Sequence, residues 1–323
     1  MRVAIMGAGG IAVKMANTLK GLEDVETYAV ASRSLEKAEA FANKNGFTKA
    51  YGSYEEMLKD DAVDLVYVAT PHSHHFQCVK LCLEHGKHVL CEKSFTVNAG
   101  QAEELFNMAK EKNLLLTEAI WTRYMPSRKL IDDLIAEGAI GEVTSLEANL
   151  GYELSAVPRM LDPKLAGGAL LDLGVYLVHF ARMVFGSNMK QVIADAVMLD
   201  TGVDAEDSIT MVFEGGKMAV THCNMRAVLN RRGTIFGTKG YIEIQNLNNP
   251  EKISVYDAEH HLVKEAEIPE QITGYEYEVL ACKKAIESGQ IECPEIPHKE
   301  TIAVMKILDE IRTSWNYKIP GVE

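Results

Sequence analysis

Positive charge, paired cysteines and long apolar runs are what this chain of 323 residues has least of. Its 33 Lys and Arg stand against 46 Asp and Glu, for a net charge of −13. A surface of that sign repels phosphate backbones, so nucleic acid is excluded as the expected partner. An anionic small molecule is not excluded, because a few local amides and cations suffice to hold one. The six cysteines (Cys78, Cys82, Cys91, Cys223, Cys282 and Cys293) form no C-x-x-C pair and no disulfide-like cluster. A reducing, cytoplasmic compartment is therefore expected. No apolar run is read as approaching the ~20 residues of a membrane-spanning helix, and residues 1–4 lead into a strand rather than a signal peptide. The expectation is a soluble chain with no membrane contact.

What remains is ordinary globular material, 47% hydrophobic and 24% charged, at a length that suits two domains of roughly 150 residues. The first third alternates strand and helix. Strands are expected at 2–6, 25–31, 63–70, 88–91 and 114–120, and helices at 34–45, 73–85 and 99–112. Ser34 is placed to cap a helix, Ser53 with Glu56 has capping-box spacing, and Gly46 and Gly86 sit where helices should end. Near-continuous apolar strands joined by helices imply a parallel sheet covered on both faces. Past Trp121 the pattern changes. A helix at 127–137, a strand at 143–150 and a helical stretch at 167–185 lead into successive strands over 191–268. Helices near 275–288 and 300–315 close the chain. The fold class is α/β, with a doubly wound parallel sheet in 1–120 and an α+β domain carrying a large, mostly antiparallel open sheet in 121–323.

Residues Gly7-Ala8-Gly9-Gly10-Ile11-Ala12 follow the first strand and open a helix. In this G-x-G-x-x-A pattern Gly7 permits the tight turn, Gly9 lets the backbone approach a pyrophosphate, and Ala12 allows close helix–strand packing. The helix N-terminus then offers unpaired N–H groups to the phosphates. Alone, such a motif is a weak sign; at the head of a βαβ unit it indicates a Rossmann dinucleotide site. The end of the second strand selects the cofactor. An NAD site usually carries Asp or Glu there for the ribose 2′-hydroxyl. This chain has Ser32-Arg33-Ser34, and a guanidinium pairs with a 2′-phosphate, with Lys37 one turn on as a second cation. NADP(H) is expected as the preferred cofactor and NAD(H) as the second choice. The plain alternative is that Arg33 and Lys37 are solvated surface charges.

Three further clusters could do chemistry. Thr70-Pro71-His72-Ser73-His74-His75 and Cys91-Glu92-Lys93 follow apolar strands, where doubly wound folds bind ligands. In the third, from Gly167-Gly168 to His179, Asp172, Tyr176 and His179 recur at helical spacing and share a face. Neighbouring histidines cannot all face one ion, and no remote carboxylate or cysteine motif completes a site, so no metal is expected. Each residue also has an ordinary reading: Tyr176 as core packing, Asp172 as a cap, Lys93 as a surface lysine ending a strand.

With these motifs in order, the chain resembles the glucose–fructose oxidoreductase, inositol dehydrogenase and rhizopine-catabolism (Gfo/Idh/MocA) family, and within it the branch that oxidises dihydrodiols and aldoses. The likeness extends over nearly the whole chain, including 50–56, 89–93, 118–123, 167–176 and 237–240. It implies that Lys93 is the E-K lysine, Tyr176 the catalytic acid/base and Asp172 the carboxylate one turn before it. It also implies that His75 belongs to the post-strand loop, that Trp121 lies beside the nicotinamide pocket, and that Arg33 and Lys37 meet the 2′-phosphate. Thr70, Pro71, His72, His75, Glu92, Lys93 and Arg123 complete the expected cofactor contacts, and Trp121, Asp172, Tyr176 and His179 the substrate side. The family usually reads Glu-Lys-Pro; here Ser94 follows Lys93. The expected function is hydride transfer between NADP(H) and a hydroxyl or carbonyl of a sugar, polyol or cyclic diol. A physiological reductase of sugar or dicarbonyl groups, or a non-catalytic dinucleotide sensor, is the alternative. The strands of 191–268 are expected to join copies of the chain into a homodimer or a dimer of dimers, because an open apolar sheet is otherwise exposed.

Overall fold

Short apolar runs separated by capped helices build the N-terminal part of the computed structural model, which describes residues 1–321. Six parallel strands form one sheet: β1 (Arg2–Met6), β2 (Glu26–Ala31), β3 (Lys49–Tyr51), β4 (Leu65–Val68), β5 (His88–Glu92) and β6 (Leu116–Ala119). Their order is β3-β2-β1-β4-β5-β6. The chain order reverses between the two neighbours of β1, and such a switch point is where doubly wound sheets take ligands. Helices α1 (Gly10–Lys20), α2 (Leu35–Asn45), α3 (Tyr54–Leu58), α4 (His72–Glu84) and α5 (Ala99–Lys112) connect the strands. The expected caps are present. Ser34 accepts from Lys37 N at 3.4 Å and Ser53 from Glu56 N at 3.2 Å, and Gly46 ends α2 in the left-handed conformation. Strand β3 was not expected. It is too short to show a period, and it is held by side chains: Tyr28, Lys49 and Tyr51 all donate to Asp60, at 2.9, 2.7 and 2.6 Å.

A second compact unit begins at Met125. It contains α6 (Pro126–Ala136), β7 (Val143–Gly151), α7 (Pro158–Leu161), a π-helical turn (Leu170–Gly174) and α8 (Val175–Phe185). Seven strands follow: β8 (Met189–Met198), β9 (Asp204–Phe213), β10 (Lys217–Asn224), β11 (Gly233–Gly237), β12 (Gly240–Gln245), β13 (Lys252–Asp257) and β14 (Leu262–Ala266). With β7 they form an eight-stranded sheet, β14-β13-β12-β11-β7-β10-β9-β8, antiparallel throughout except for the β7–β10 pair. In β10, Ala219, Thr221 and Cys223 are buried while Met218 and Val220 are exposed, the period of a sheet covered on one face. One expectation is corrected here. Pro163–Phe185 is long and apolar enough to cross a membrane by length and composition, but 83% of its most apolar window is buried inside the chain. Burial of that extent is what a core helix shows.

The single cut expected near residue 120 also differs from the structure. The first unit is Met1–Tyr124 together with Gln271–Met305, and the second is Met125–Glu270 with the chain's end. The returning segment brings α9 (Glu276–Glu287) and the start of α10 (His298–Ser314). It covers the edge of the parallel sheet: Leu116 N donates to Ile291 O at 3.1 Å, and Thr301 Oγ1 donates to Glu118 Oε2 at 2.9 Å. Its entry is bent by Glu276, whose carboxylate accepts from the N–H groups of Ile272, Thr273 and Gly274.

Candidate active site

All six strands of the first sheet run one way, so their carboxyl ends form a single rim, and most of the expected site residues leave from it. After β1 the chain turns through Gly7, whose φ is +109°. A Cβ there would stand 2.8 Å from the Ala69 carbonyl, so both conformation and space require glycine. Ala8, Gly9 and Gly10 are exposed, and Ala12 is fully buried in the helix–sheet contact. Gly9 caps α1 with no side-chain hydrogen bond, and no acidic residue lies in the first turn. A Cβ on Gly9 or Gly10 would meet nothing within 4 Å. Together these glycines leave a bare shelf beside the first N–H groups of Gly10 and Ile11, at the positive end of the helix dipole. Open space, the helix's first N–H groups and a first turn without acids fit a dinucleotide pyrophosphate.

At the end of β2, Ser32 N donates to Tyr51 O at 3.2 Å and sets the turn. Arg33 and Lys37 are exposed, and among the described residues neither cationic head has a hydrogen-bond or ion-pair partner. Burial is the main cause of the raised Tyr54 and Cys78 pKa values and the lowered His74 pKa, and the Arg33 charge acts on all three.

The β4 end is locked by its histidines. His75 is wholly buried, with Nδ1 at 2.9 Å from the Ser94 carbonyl and Nε2 at 2.8 Å from the Thr70 carbonyl. Burial holds its pKa below the ordinary value. His75 is thus a strut between the loops after β4 and β5, with both ring nitrogens occupied, and not a group that faces a ligand. His72 Nε2 lies 3.2 Å from the Lys93 carbonyl, and Pro71 caps α4. His74 turns toward Ser73 Oγ at 3.0 Å. The His72 and His75 rings meet edge to face, with centres 5.7 Å apart, and among the described residues no group of three His, Cys, Asp or Glu could hold a metal.

After β5, buried Glu92 accepts from the Tyr67 hydroxyl and, through Oε2, from Lys93 N at 3.2 Å. Neighbouring strands therefore pin the Lys93 backbone, while its side chain is half-buried. The Lys93–Ser94 peptide is cis. After β6 a 3-10 turn presents Trp121, stacked on Tyr275 with ring centres 4.2 Å apart. Arg123, expected at the cofactor, is instead paired with Glu300 at 2.6 Å, with only 10% of its side chain exposed. That ion pair ties the 3-10 turn to α10.

In the second unit the Gly167-Gly168 turn leads into the π-helical turn, which bears Asp172, and then into α8, which bears Tyr176 and His179. All three are buried, at 6%, 7% and 0% exposure. The regular helix expected over 167–185 is widened at its start, and such turns are frequent at functional sites. Asp204 caps the turn by accepting from Leu170 N at 2.5 Å. Arg159 on α7 reaches Asp172 at 3.2 Å. Sequence reasoning missed Arg159, Asp204 and Tyr275. Asp204 and Tyr275 carry no motif, and Arg159 lies thirteen positions from its partner.

Residues 1–120 match the GFO/IDH/MocA oxidoreductase family with its NAD-binding Rossmann fold, and residues 129–243 match the GFO/IDH/MocA C-terminal domain. The chain is 35% identical to trans-1,2-dihydrobenzene-1,2-diol dehydrogenase of Mus musculus over 333 residues, covering 99% of this chain and 98% of that protein. The Homo sapiens protein of the same name is 34% identical over 328 residues, with the same coverage. Among solved structures, a 3-ketoreductase from Actinomadura kijaniata in complex with NADP and TDP-benzene is 25% identical, with a TM-score of 0.89 over 97% of each chain. Levoglucosan dehydrogenase, in complex with NADH and L-sorbose, shares the fold at 20% identity, with a TM-score of 0.86 over 97% of this chain and 96% of that one. A Rossmann rim with a dinucleotide shelf, a second unit built on an open sheet, and near full-length relatives make this chain an oxidoreductase of the GFO/IDH/MocA family.

Proposed function

We propose that this oxidoreductase transfers hydride between NADP(H) and a secondary hydroxyl or carbonyl of a sugar, polyol or cyclic diol. The observation that carries the reading is the combination of a bare dinucleotide shelf at Gly9-Gly10 with unpaired Arg33 where an NAD site has an acid. When bound, the dinucleotide supplies the hydride acceptor or donor. Gly9, Gly10 and Ile11 would hold its pyrophosphate by backbone N–H groups, with Arg33 and Lys37 holding the 2′-phosphate. Tyr176 takes the hydroxyl proton in oxidation and returns it in reduction. A tyrosine of ordinary pKa near 10 needs a nearby cation to ionise at neutral pH, and Lys93 is assigned that role on chemistry and family resemblance. Asp172 orients the reacting groups. The relatives named for diol oxidation and keto reduction support either direction. The unpaired thiols, all buried, support a reducing, cytoplasmic setting.

The test is turnover with NADP+ against a panel of aldoses, inositols and trans-dihydrodiols. Tyr176→Phe should cut turnover by about 10²–10⁴-fold while dinucleotide affinity stays near normal, and Lys93→Met should be similarly severe in turnover. More than about a tenth of normal turnover in Tyr176→Phe would send the proton elsewhere.

We also propose self-association through the open face of the eight-stranded sheet. Ile193 and Val197 on β8 and Met218 and Val220 on β10, the two strands that flank β9, are 55%, 47%, 42% and 48% exposed, and clustered exposed apolar side chains of this kind mark association surfaces. Sedimentation giving only the 35.7 kDa species at micromolar concentration would refute it.

A further inference from the structure

The Asp172 carboxylate is approached from outside its own motif. Nη2 of Arg159 lies 3.2 and 3.3 Å from its two oxygens. The Asp172 side chain is 8% exposed and that of Arg159 43%. A carboxylate so far from water requires a charged or hydrogen-bonding partner. The backbone that carries Arg159 is also fixed. Gly168 N donates to Met160 O at 3.0 Å and Gly167 N to Asp162 O at 3.2 Å, and Met160 is fully buried. A Cβ on Gly167 would stand 2.5 Å from the carbonyls of both Arg159 and Met160. The short helix α7 is therefore seated on the turn that begins the Asp172–Tyr176 helix, in space that only glycine leaves open.

We propose that Arg159 is a positioning residue for the reaction, its planar guanidinium aiming the Asp172 carboxylate one turn ahead of Tyr176. The proposal rests on the reading that Asp172 and Tyr176 serve the proton chemistry. The Arg159 contact is a single nitrogen set near both carboxylate oxygens, which an ammonium on a shorter, more flexible stem reproduces only in part. The consequence is an effect on kcat that runs through Asp172 and through nothing else.

The full-length enzyme is compared as Arg159→Met, Arg159→Lys, Asp172→Asn, the double variant Arg159→Met/Asp172→Asn, and Tyr176→Phe. Arg159→Met should lower kcat by about 10–100-fold with KM changed less than about three-fold, and NADP+ affinity should be unchanged. Arg159→Lys should recover part of the loss. The double variant should be no slower than Asp172→Asn alone, within about two-fold, because both changes remove one interaction. Losses that multiply in the double variant overturn the proposal, as does normal kcat in Arg159→Met. Should Arg159→Met fail to fold, Arg159→Lys and its combination with Asp172→Asn carry the same comparison. Tyr176→Phe inactive beside a fully active Arg159→Met refutes this inference alone. Tyr176→Phe at normal turnover refutes the reading beneath it.

Discussion

At Gly9 and Gly10 a missing Cβ leaves open space beside an exposed helix end, whereas at Gly167 and Gly168 the chain itself fills the same kind of gap. The carbonyls of Arg159 and Met160 occupy the space at Gly167, and the Asp204 carboxylate occupies it at Gly168. Both pairs stand before a helix that carries expected site residues, and in the sequence they look alike. The first pair is shaped for a ligand to approach backbone. The second is shaped for protein to approach backbone, so that a short helix and a capping carboxylate hold Asp172 and Tyr176 in place. A glycine doublet thus signals close approach, and only packing tells what approaches.

The strongest test of that contrast is Gly168→Ala. Gly168 has a φ of +112°, and a Cβ would overlap the Asp204 carboxylate. The substitution should destabilise the protein by about 2–5 kcal/mol, read as a lower denaturation midpoint. Gly9→Ala should leave stability within about 0.5 kcal/mol and weaken NADP+ binding by about ten-fold or more. If Gly9→Ala lowers stability and spares affinity, the two pairs are alike and the contrast fails.

A smaller effect sharpens the ligand side. Arg33→Asp should reduce the ratio of NADP(H) to NAD(H) affinity by about ten-fold or more, since a charge-assisted contact is worth about 1.5–3 kcal/mol. Equal affinities in the unaltered enzyme would mean that Arg33 meets no 2′-phosphate. Fluorescence titration with each reduced cofactor measures both.

The smallest effect lies on the protein-filled side and depends on pH. Asp204 and Asp207 are both buried, and Asp207 accepts from Cys223 Sγ at 3.0 Å. Burial and then the Asp204 charge push Asp207 well above the carboxylate range, and burial raises Asp204 too. A raised folded pKa contributes stability that is full below the unfolded value, about 3.9, and is lost as pH rises through the folded one. Asp207→Asn keeps the size and polarity of the side chain with no proton to lose. Its melting temperature relative to the unaltered enzyme should therefore climb by a few degrees between about pH 4 and 8. A pH-independent difference would show that the two carboxyls share no proton.

Much of the first unit was legible because its signals are local. Apolar runs marked the β1, β2, β4, β5 and β6 strands, and Ser34, Ser53 and Gly46 marked helix ends, all within a few residues of the structure they govern. What was not legible depends on partners far away in sequence. Strand β3 pairs with β2 and is braced by side chains that meet at Asp60, and residues 271–305 join the first unit through bonds such as Thr301 to Glu118. Arg123 reads as a rim cation until Glu300 is seen beside it, and His75 as a free histidine until both its nitrogens are seen against carbonyls.

The sequence by itself determined that the Rossmann unit's sheet is parallel, the place of its dinucleotide turn and the helical stretch that bears Asp172 and Tyr176, since these follow from periodicity, caps and glycine spacing. Tertiary structure alone decided which glycines leave room for a ligand, which cations stay unpaired among the described residues and that Arg159 comes within 3.2 Å of Asp172. Those outcomes depend on what packs against each position, and Arg159 and Asp204 reach the Asp172 helix from segments before and after it in the chain.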